Sequence, residues 1–399
     1  MTRRRFLLLG TDRMEPAELL AGDPRVDLCV VTKPKHARRY GEAEVATVPD
    51  LGDITAVRDA AAGLLGDGLD AVAASNERGQ LAAGFLRSFH GIQGMPFGTT
   101  VRFTRKDVMK RAIQAAGLPH VPFQVIGGLD GLSRAAKELG RPVVVKPSMG
   151  AGARGTYRLE EDSPVPGGLE KVSAPLVVER FVEAGRELHC DGVVHDGEVV
   201  FASVSQYFQP VLTVGNRFLG SFTLPPDDPA AASMRELHAA AVAALGMRAG
   251  ITHMEAFDAG GELLFSEIAC RPGGGGVVQA VEDRHGVNLW RAFLSCALGD
   301  PPEAAFRDGG VITGWIGLPG RNGVVRRISD AGELAAVPGV ARLTMYHRPG
   351  QRVAEKPSSV FYAGLALLRV ATAGEAFATQ RELARRFVLE MEPDQGGAP

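Results

Sequence analysis

The stretch Ile251–Gly276, ITHMEAFDAGGELLFSEIACRPGGGG, holds Glu255, Glu267 and Arg271 close together in the chain. Two carboxylates, with no Cys or His partners at zinc spacing, suit a hard cation such as Mg²⁺ or Mn²⁺ shared with phosphate. Arg271 is followed by Gly273, Gly274 and Gly275, and glycines let backbone approach a ligand closely. A second group begins at Lys146, which follows three valines and precedes a loop containing Ser148, Gly150, Gly152 and Gly155. A buried-type strand rarely ends on an unpaired ammonium, so Lys146 needs an anionic partner. The lysine precedes the glycines and no helix follows, so the loop reads as a phosphate-covering hairpin and not as a Walker A loop. An exposed polar hairpin face and a plain mobile loop would show the same residues.

Strands must position these groups. Ile251–Phe257 and Glu262–Ala269 read as a hairpin around Asp258–Gly261, because glycine supplies the positive φ of a tight turn. Alternation then puts His253, Glu255 and Phe257 on one face. Glu267, Ala269 and Arg271 share a face of the second strand.

Residues 1–103 read as one unit. Strands at Phe6–Leu9, Leu28–Val31, Glu44–Val48 and Leu69–Ala73 are separated by helices at Pro16–Leu20 and Ile54–Leu65, and a further helix, Gly79–Phe89, follows. That order predicts a parallel sheet with its ligand-facing loops beyond the strand ends, at 10–14, 32–39 and 75–78. No G-x-G-x-x-G follows the first strand, so a dinucleotide fold is weakly supported. The basic segment Thr32–Tyr40 is a solvated loop or a docking site for an anionic group.

Residues 104–300 form the second unit, with 119–185 as its mobile lobe. Thr104 is placed to cap a helix running to Gly117 that carries Lys106 and Lys110 one turn apart. Strands follow near Val121–Ile126, Val143–Lys146, Thr156–Leu159 and Pro175–Glu179, with a hairpin at Glu187–Ser205. Helices are predicted at Leu129–Leu139, Met234–Leu245 and Asn288–Leu298. Pro301-Pro302 marks the start of a third, α+β unit over 301–392, ending in a helix at Gly374–Glu390, and 393–399 reads as a disordered tail.

With 399 residues and a net charge of −2, the chain has room for several cores and shows no basic patch. A nucleic-acid or membrane-surface role is therefore not its main one. Its four cysteines are scattered, which fits a reduced, cytoplasmic protein better than a disulfide or zinc framework. The start MTRRRFLLLG reads as a first strand, and Phe361–Val370 is too short to span a membrane.

The order of the pieces resembles the ATP-grasp superfamily of carboxylate–amine ligases. It runs from Lys106 through Lys146 and its glycine loop, Glu179-Arg180-Phe181-Val182, Glu187 and Glu255 to Glu267 and Arg271-Pro272-Gly273-Gly274. The resemblance implies an N-terminal parallel α/β domain, ATP-grasp lobes with antiparallel sheets, and a small α+β lid. It implies that Lys106 and Lys146 contact ATP phosphates while Ser148–Gly155 folds over them. Glu179 would accept from the adenine amino group, the backbone of Arg180, Phe181 and Val182 would hold the purine edge, and Glu187 would bind the ribose. Glu255 and Glu267 would hold two metal ions, Mg²⁺ or Mn²⁺. Arg271 would grip the transferred phosphate, with Gly273, Gly274 and Gly275 beside the substrate.

Many members carry Asn two residues after the second Glu, where this chain has Ala269. The run Glu267-Ile268-Ala269-Cys270-Arg271 and the lead-in Gly250–Glu255 look like the amino-acid ligases of the superfamily. They imply a soluble, homodimeric, ADP-forming enzyme that joins two amino acids through an acyl-phosphate. His253 would then face the site as a substrate or phosphate contact, or else be a satisfied hairpin histidine. Alternatives are a ribotide ligase or formate-using transferase of purine synthesis, and a nucleotide-binding module without turnover.

Overall fold

Apolar runs at the start of the chain pair as the alternation with helices predicts. The computed structural model describes residues 3–392 except 12, 67, 151, 162, 173–174, 215–217, 304–306, 308 and 355–360. The expected tail 393–399 lies outside the described residues. Strands β1 (Arg4–Leu9), β2 (Val26–Thr32), β3 (Glu44–Thr47) and β4 (Ala71–Ala74) form a parallel sheet in the order β3-β2-β1-β4. Phe6, Leu7, Leu8 and Leu9 are all fully buried, as a parallel strand covered on both faces requires. The basic segment expected as a loop is instead a 3₁₀ turn, Pro34–Tyr40. His36 and Tyr40 are buried and the Tyr40 hydroxyl donates to the Thr11 carbonyl. In the helix Gln80–His90 Leu81 and Leu86 are buried, whereas Phe89 is exposed and rests on Phe85.

The helix expected from a Thr104 cap is two helices, Phe97–Thr104 and Lys106–Ala115. Thr104 closes the first, with its hydroxyl donating to the Thr100 carbonyl at 2.8 Å. Arg105 between them is extended at φ −99° and ψ 108°. The break makes Lys106 the first residue of its helix.

Four short strands follow: β5 (Phe123–Ile126), β6 (Val143–Pro147), β7 (Tyr157–Leu159) and β8 (Leu176–Arg180). They form an antiparallel sheet in the order β5-β8-β6-β7. The largest sheet has eight strands. It takes β9 (Arg186–His195), β10 (Glu198–Tyr207), β11 (Gly220–Thr223), β12 (Gly250–Ala259), β13 (Glu262–Ala269) and β14 (Ile312–Pro319). After β15 (Gly323–Ile328) it also takes β16 (Val340–Met345) and, after β17 (Arg352–Val353), β18 (Tyr362–Val370). Its order is β13-β12-β9-β10-β11-β14-β18-β16. The sheet thus runs unbroken across Pro301-Pro302, which lie in the connection from the helix Leu289–Leu298 to β14.

Met254, Ala256 and Ile268 enter a core with Met234, Leu237 and Ala241 of the helix Pro229–Leu245. Each fully buried aliphatic side chain there contributes roughly 1.5–3 kcal/mol. Burying these residues turns His253, Glu255 and Phe257 to the opposite face.

Among the elements not expected from the sequence, two bear on the ends of predicted segments. The helix Val277–His285 begins directly after the glycine run. The C-terminal helix ends at Arg386, and β19 (Leu389–Glu392) pairs with β15 where helix was predicted.

Candidate active site

A cavity of about 600 Å³ lies between the four-stranded and eight-stranded sheets. Most of the residues singled out in the sequence line it: Lys106, Lys146, Gly150, Gly152, Glu179, Arg180, Phe181, Val182, Glu187, His253, Glu255, Glu267, Arg271 and Gly274. Ser148, Gly155, Gly273 and Gly275 stand behind that lining. Ser148 is fully buried and its hydroxyl donates to Asp107. Gly155 packs against the Pro147 ring. A Cβ on Gly273 would come within 2.9 Å of His253 Nδ1 and 3.0 Å of Asp191 Oδ1. Gly275 has φ +63°, and a Cβ there would stand 2.4 Å from the Trp315 ring. Both glycines therefore serve the packing of the wall.

The carboxylates are set by strand register. Glu255 on β12 pairs with Glu267 on β13, and the ladder bulges just after Glu255. A bulge re-aims side chains locally. Lys106 Nζ lies 3.4 Å and Lys146 Nζ 3.6 Å from Glu267 Oε2. Burial opposes ionisation of Glu267, but the ammoniums of Lys106, Lys146 and Lys110 outweigh it and hold its carboxyl down to about 2. Lys106 also donates to the Gly150 carbonyl at 2.7 Å, tying the glycine loop to its helix.

Glu179 stands between two lysines, 2.7 Å from Lys110 Nζ and 3.1 Å from Lys146 Nζ. All three side chains are buried. Burial works against the Glu179 charge, and the two ammoniums overcome it, so the carboxyl is held below its usual range. An adenine amino group reaching Glu179 would share its oxygens with this pair.

Glu187 is the opposite case. It is buried, has the Glu255 charge nearby, and accepts a hydrogen bond from the Val211 amide at 2.7 Å. Burial first, and the Glu255 charge second, push its carboxyl up to about 8.

Several functional residues were not evident in the sequence. Lys110 was noted only as lying one turn from Lys106, and it is fully buried. Glu77 comes from the loop after β4 and lies 2.8 Å from Arg271 Nε, a pairing across 194 residues. Burial disfavours the Arg271 cation, but Glu77 more than compensates and raises its pKa.

Asp191 on β9 is buried and accepts from two rings, His189 at 2.6 Å and His253 at 2.8 Å. His189 Nε2 reaches the Ser221 hydroxyl at 2.8 Å. His253 is thus the satisfied histidine of one alternative, and it also faces the cavity with Nε2 3.6 Å from Glu255 Oε1. Burial lowers its basicity, but Asp191 and then Glu255 raise its pKa to about 10. The Tyr207 hydroxyl donates to Glu255 Oε1 at 2.8 Å. Tyr207 stands in a segment, Gln206–Phe218, with three aromatic residues and no charge before Arg217; residues 215–217 lie outside the described residues.

Glu255 and Glu267 offer hard oxygens on adjacent strands, which fits Mg²⁺ or Mn²⁺ held jointly with phosphate. His253 stands opposite Ala269 in the ladder, so a side chain with a basic nitrogen faces the position where many ATP-grasp members place Asn. Lys106, Lys146 and Arg271 bring three cationic side chains to the same cavity. A glycine loop lies over one side, and the segment Arg180–Gly185 forms the rim. Among the described residues no helix is long and apolar enough to cross a membrane.

Comparison with known proteins agrees with this geometry. Residues 111–282 match the ATP-grasp domain model, and residues 316–392 match the L-amino acid ligase C-terminal domain 2 model. The chain is 30% identical over 374 residues to an L-arginine-specific L-amino acid ligase from Bacillus subtilis, covering 90% of each chain. It is 26% identical over 311 residues to a formate-dependent phosphoribosylglycinamide formyltransferase from Burkholderia cenocepacia, covering 74% of this chain and 72% of that one. Among solved structures, an L-amino acid ligase from Bacillus licheniformis superposes with a TM-score of 0.80 at 21% identity, covering 98% of this chain and 100% of the other. A carboxyaminoimidazole ribonucleotide synthase from Aspergillus clavatus complexed with ATP gives 0.74 at 18% identity, covering 96% and 99%.

Proposed function

Because the chain belongs to the L-amino acid ligase family of ATP-grasp enzymes, we infer that it joins two amino acids through an amide bond as ATP becomes ADP and phosphate. Family membership displaces the ribotide and non-catalytic alternatives. The observation that carries the residue assignments is the convergence of Lys106, Lys146, Glu255, Glu267 and Arg271 on one cavity.

In this reading an oxygen of the first amino acid's carboxylate attacks the γ-phosphorus. The bond from the γ-phosphorus to the bridging oxygen breaks, ADP leaves with the electron pair, and an acyl-phosphate remains. The amine of the second amino acid then attacks the acyl carbon. The C–O bond to phosphate breaks, inorganic phosphate departs, and the nitrogen gives up a proton. Lys106 and Lys146 offset the charge of the phosphates as phosphoryl moves, which is the main work of such a site. Arg271, held by Glu77, is set for a planar grip on the transferred phosphate. Glu255 and Glu267 would hold a divalent ion, or a pair of them, which would supply further neutralisation of the phosphates.

Ionic pairing within the cavity supports this use. Lys106 and Lys146 stand against Glu267, and Lys146 also against Glu179. With nucleotide and metal bound, Glu267 would help to hold the divalent ion, and Lys106 and Lys146 would face phosphate. Glu187 would accept the ribose hydroxyls, and the backbone of Arg180–Val182 the purine edge. We further propose that the enzyme is a cytoplasmic homodimer, the state implied by its likeness to ATP-grasp ligases and by its unpaired cysteines.

The test is a panel of amino-acid pairs with ATP and Mg²⁺, read by released phosphate and by mass identification of the product. A dipeptide with stoichiometric ADP is the expected result. Phosphate release that depends on a ribotide and on no amino acid would overturn the reading.

A further inference from the structure

One face of β9 carries Glu187, His189 and Asp191 in alternation, and in the ladder these stand opposite Phe257, Glu255 and His253 of β12. The row of ionisable side chains thus continues past Glu255 into the sheet. Asp191 is completely buried, with no lysine or arginine against it among the described residues. Its two oxygens are divided between two rings: Oδ2 accepts from His189 Nδ1 at 2.6 Å, and Oδ1 accepts from His253 Nδ1 at 2.8 Å. Burying a carboxylate is costly unless it is paired, and apolar packing in place of a buried ionic group is often neutral or stabilising. Packing alone therefore does not call for Asp191.

The two rings differ in what they leave free. His189 is closed: Nδ1 meets Asp191, Nε2 meets the Ser221 hydroxyl at 2.8 Å, and the ring lies 4.9 Å from the Tyr207 ring. His253 is open. It lines the cavity, and its Nε2 stands 3.6 Å from Glu255 Oε1, beyond hydrogen-bond length. Gly273 covers the other end of the ring, since a Cβ there would come within 2.9 Å of His253 Nδ1 and 3.0 Å of Asp191 Oδ1. Ser221, His189 and Asp191 form a brace from β11 to β9 that fixes the ring on β12. Turning that ring would break its bond to Asp191, so Nε2 stays beside Glu255 and across the ladder from Ala269.

The geometry points to Asp191 as a positioning residue for ligation: it holds His253 so that Nε2 contacts the amino acid under activation, between Glu255 and the Arg271 end of the cavity. The inference rests on the ligase reading above. Asp191 touches neither nucleotide nor amino acid and acts only through His253, while His189 keeps its carboxylate from swinging.

The experiment uses the full chain and the amino-acid pair that gives the most product in the panel above. Asp191→Asn keeps the size of the side chain and removes one acceptor, so one ring loses its bond. Its kcat should fall roughly 10²-fold, the effect of a misplaced contact, with the KM for ATP changed by less than about threefold. His253→Gln should lower kcat to a similar level, and adding Asp191→Asn to it should lower kcat no further, because nothing is left to position. Losses that multiply in the double variant, or an unchanged kcat in Asp191→Asn, overturn the proposal. If Asp191→Asn does not fold, proton NMR of the unaltered enzyme decides. Ring N–H protons bonded to a buried carboxylate resonate downfield of the amides, and His253→Gln identifies the one from His253. A non-hydrolysable ATP analogue with Mg²⁺ and the leading amino acid of the pair should shift that signal, and a signal that stays in place refutes the assignment. If no amide forms from any pair, the ligase reading falls. The brace is then judged by the same spectra with the analogue and Mg²⁺ alone, where an unmoved His253 signal refutes it.

Discussion

Glu179 and Glu187 lie on consecutive strands of two different sheets, both buried and both lining one cavity, yet they ionise in opposite senses. Glu179 has two ammoniums within 3.1 Å and is held below its usual range. Glu187 has one backbone donor and a like-charged neighbour, and its carboxyl rises to about 8. Burial is common to both and cannot account for the difference. What differs is whether the protein carries its own counter-charge. On the side of the lysines the protein supplies that counter-charge itself. On the side of Glu187 and Glu255 no lysine reaches the carboxylates, and burial keeps a proton on Glu187.

The comparison can be broken most strongly at Lys146. Lys146→Ala should lower turnover by roughly 10²–10³-fold, as loss of a preorganised charge does, with circular dichroism unchanged because Lys110 still holds Glu179. An active or unfolded variant would remove Lys146 from its role. Lys110→Met tests the structural half of the same cluster. Removing one partner of a buried pair costs about 3–5 kcal/mol, and the remaining Lys146 contact places this variant near the lower end, as read by urea unfolding.

Smaller effects lie on the other side. Tyr207→Phe removes the donor to Glu255 and keeps the apolar ring. Outer partners of metal ligands are worth about 10–100-fold in metal affinity, so half-saturation by Mn²⁺ should rise about tenfold, measured by titration of the bound ion. A change in dipeptide preference with unaltered metal affinity would be the wrong result.

The pH dependence is the finest discriminator. The folded pKa of Glu187 is raised from 4.5 to about 8, so the folded state holds a proton that the unfolded chain releases. That stabilisation is fully present below about pH 4.5 and is lost as pH rises through about 8. Glu187→Gln should flatten this slope in thermal melts between those limits. Melts with the same slope in the variant would show that another group carries it.

The same contrast explains what could be read from the sequence. Lys146, Glu255 and Glu267 were legible because each interrupts an apolar strand pattern with a charge that needs a partner. The parallel first sheet was legible from alternating runs. Lys110 was not, since one helical turn from Lys106 is where a solvated lysine would also stand, and only the approach of β8 buries it. Glu77 and Asp191 act through partners supplied by tertiary contact, Arg271 across 194 residues and two rings from different strands. Thr104 was misjudged because its cap-like chemistry sits beside Arg105, where the actual break falls. The helix Val277–His285 was hidden by the glycines before it, and β19 by a helical pattern that its pairing with β15 overrides. No local signal marks Trp315 as a cavity wall, because a tryptophan on a strand is ordinary core.

The unbroken eight-stranded sheet has a mechanical consequence. The floor of the site is one plate, hydrogen-bonded from β13 to β16, and it cannot bend at a single joint without parting a ladder. The roof, β5-β8-β6-β7, is stitched to that plate through few backbone bonds. Val121 donates to Phe265 and Phe265 to Pro119 at one seam, and Gly185 donates to Asp258 at the other. Any gape of the jaws is therefore a swing of the roof about those two seams. Amide deuteration should reach the roof and its seams before it reaches the interior of the plate.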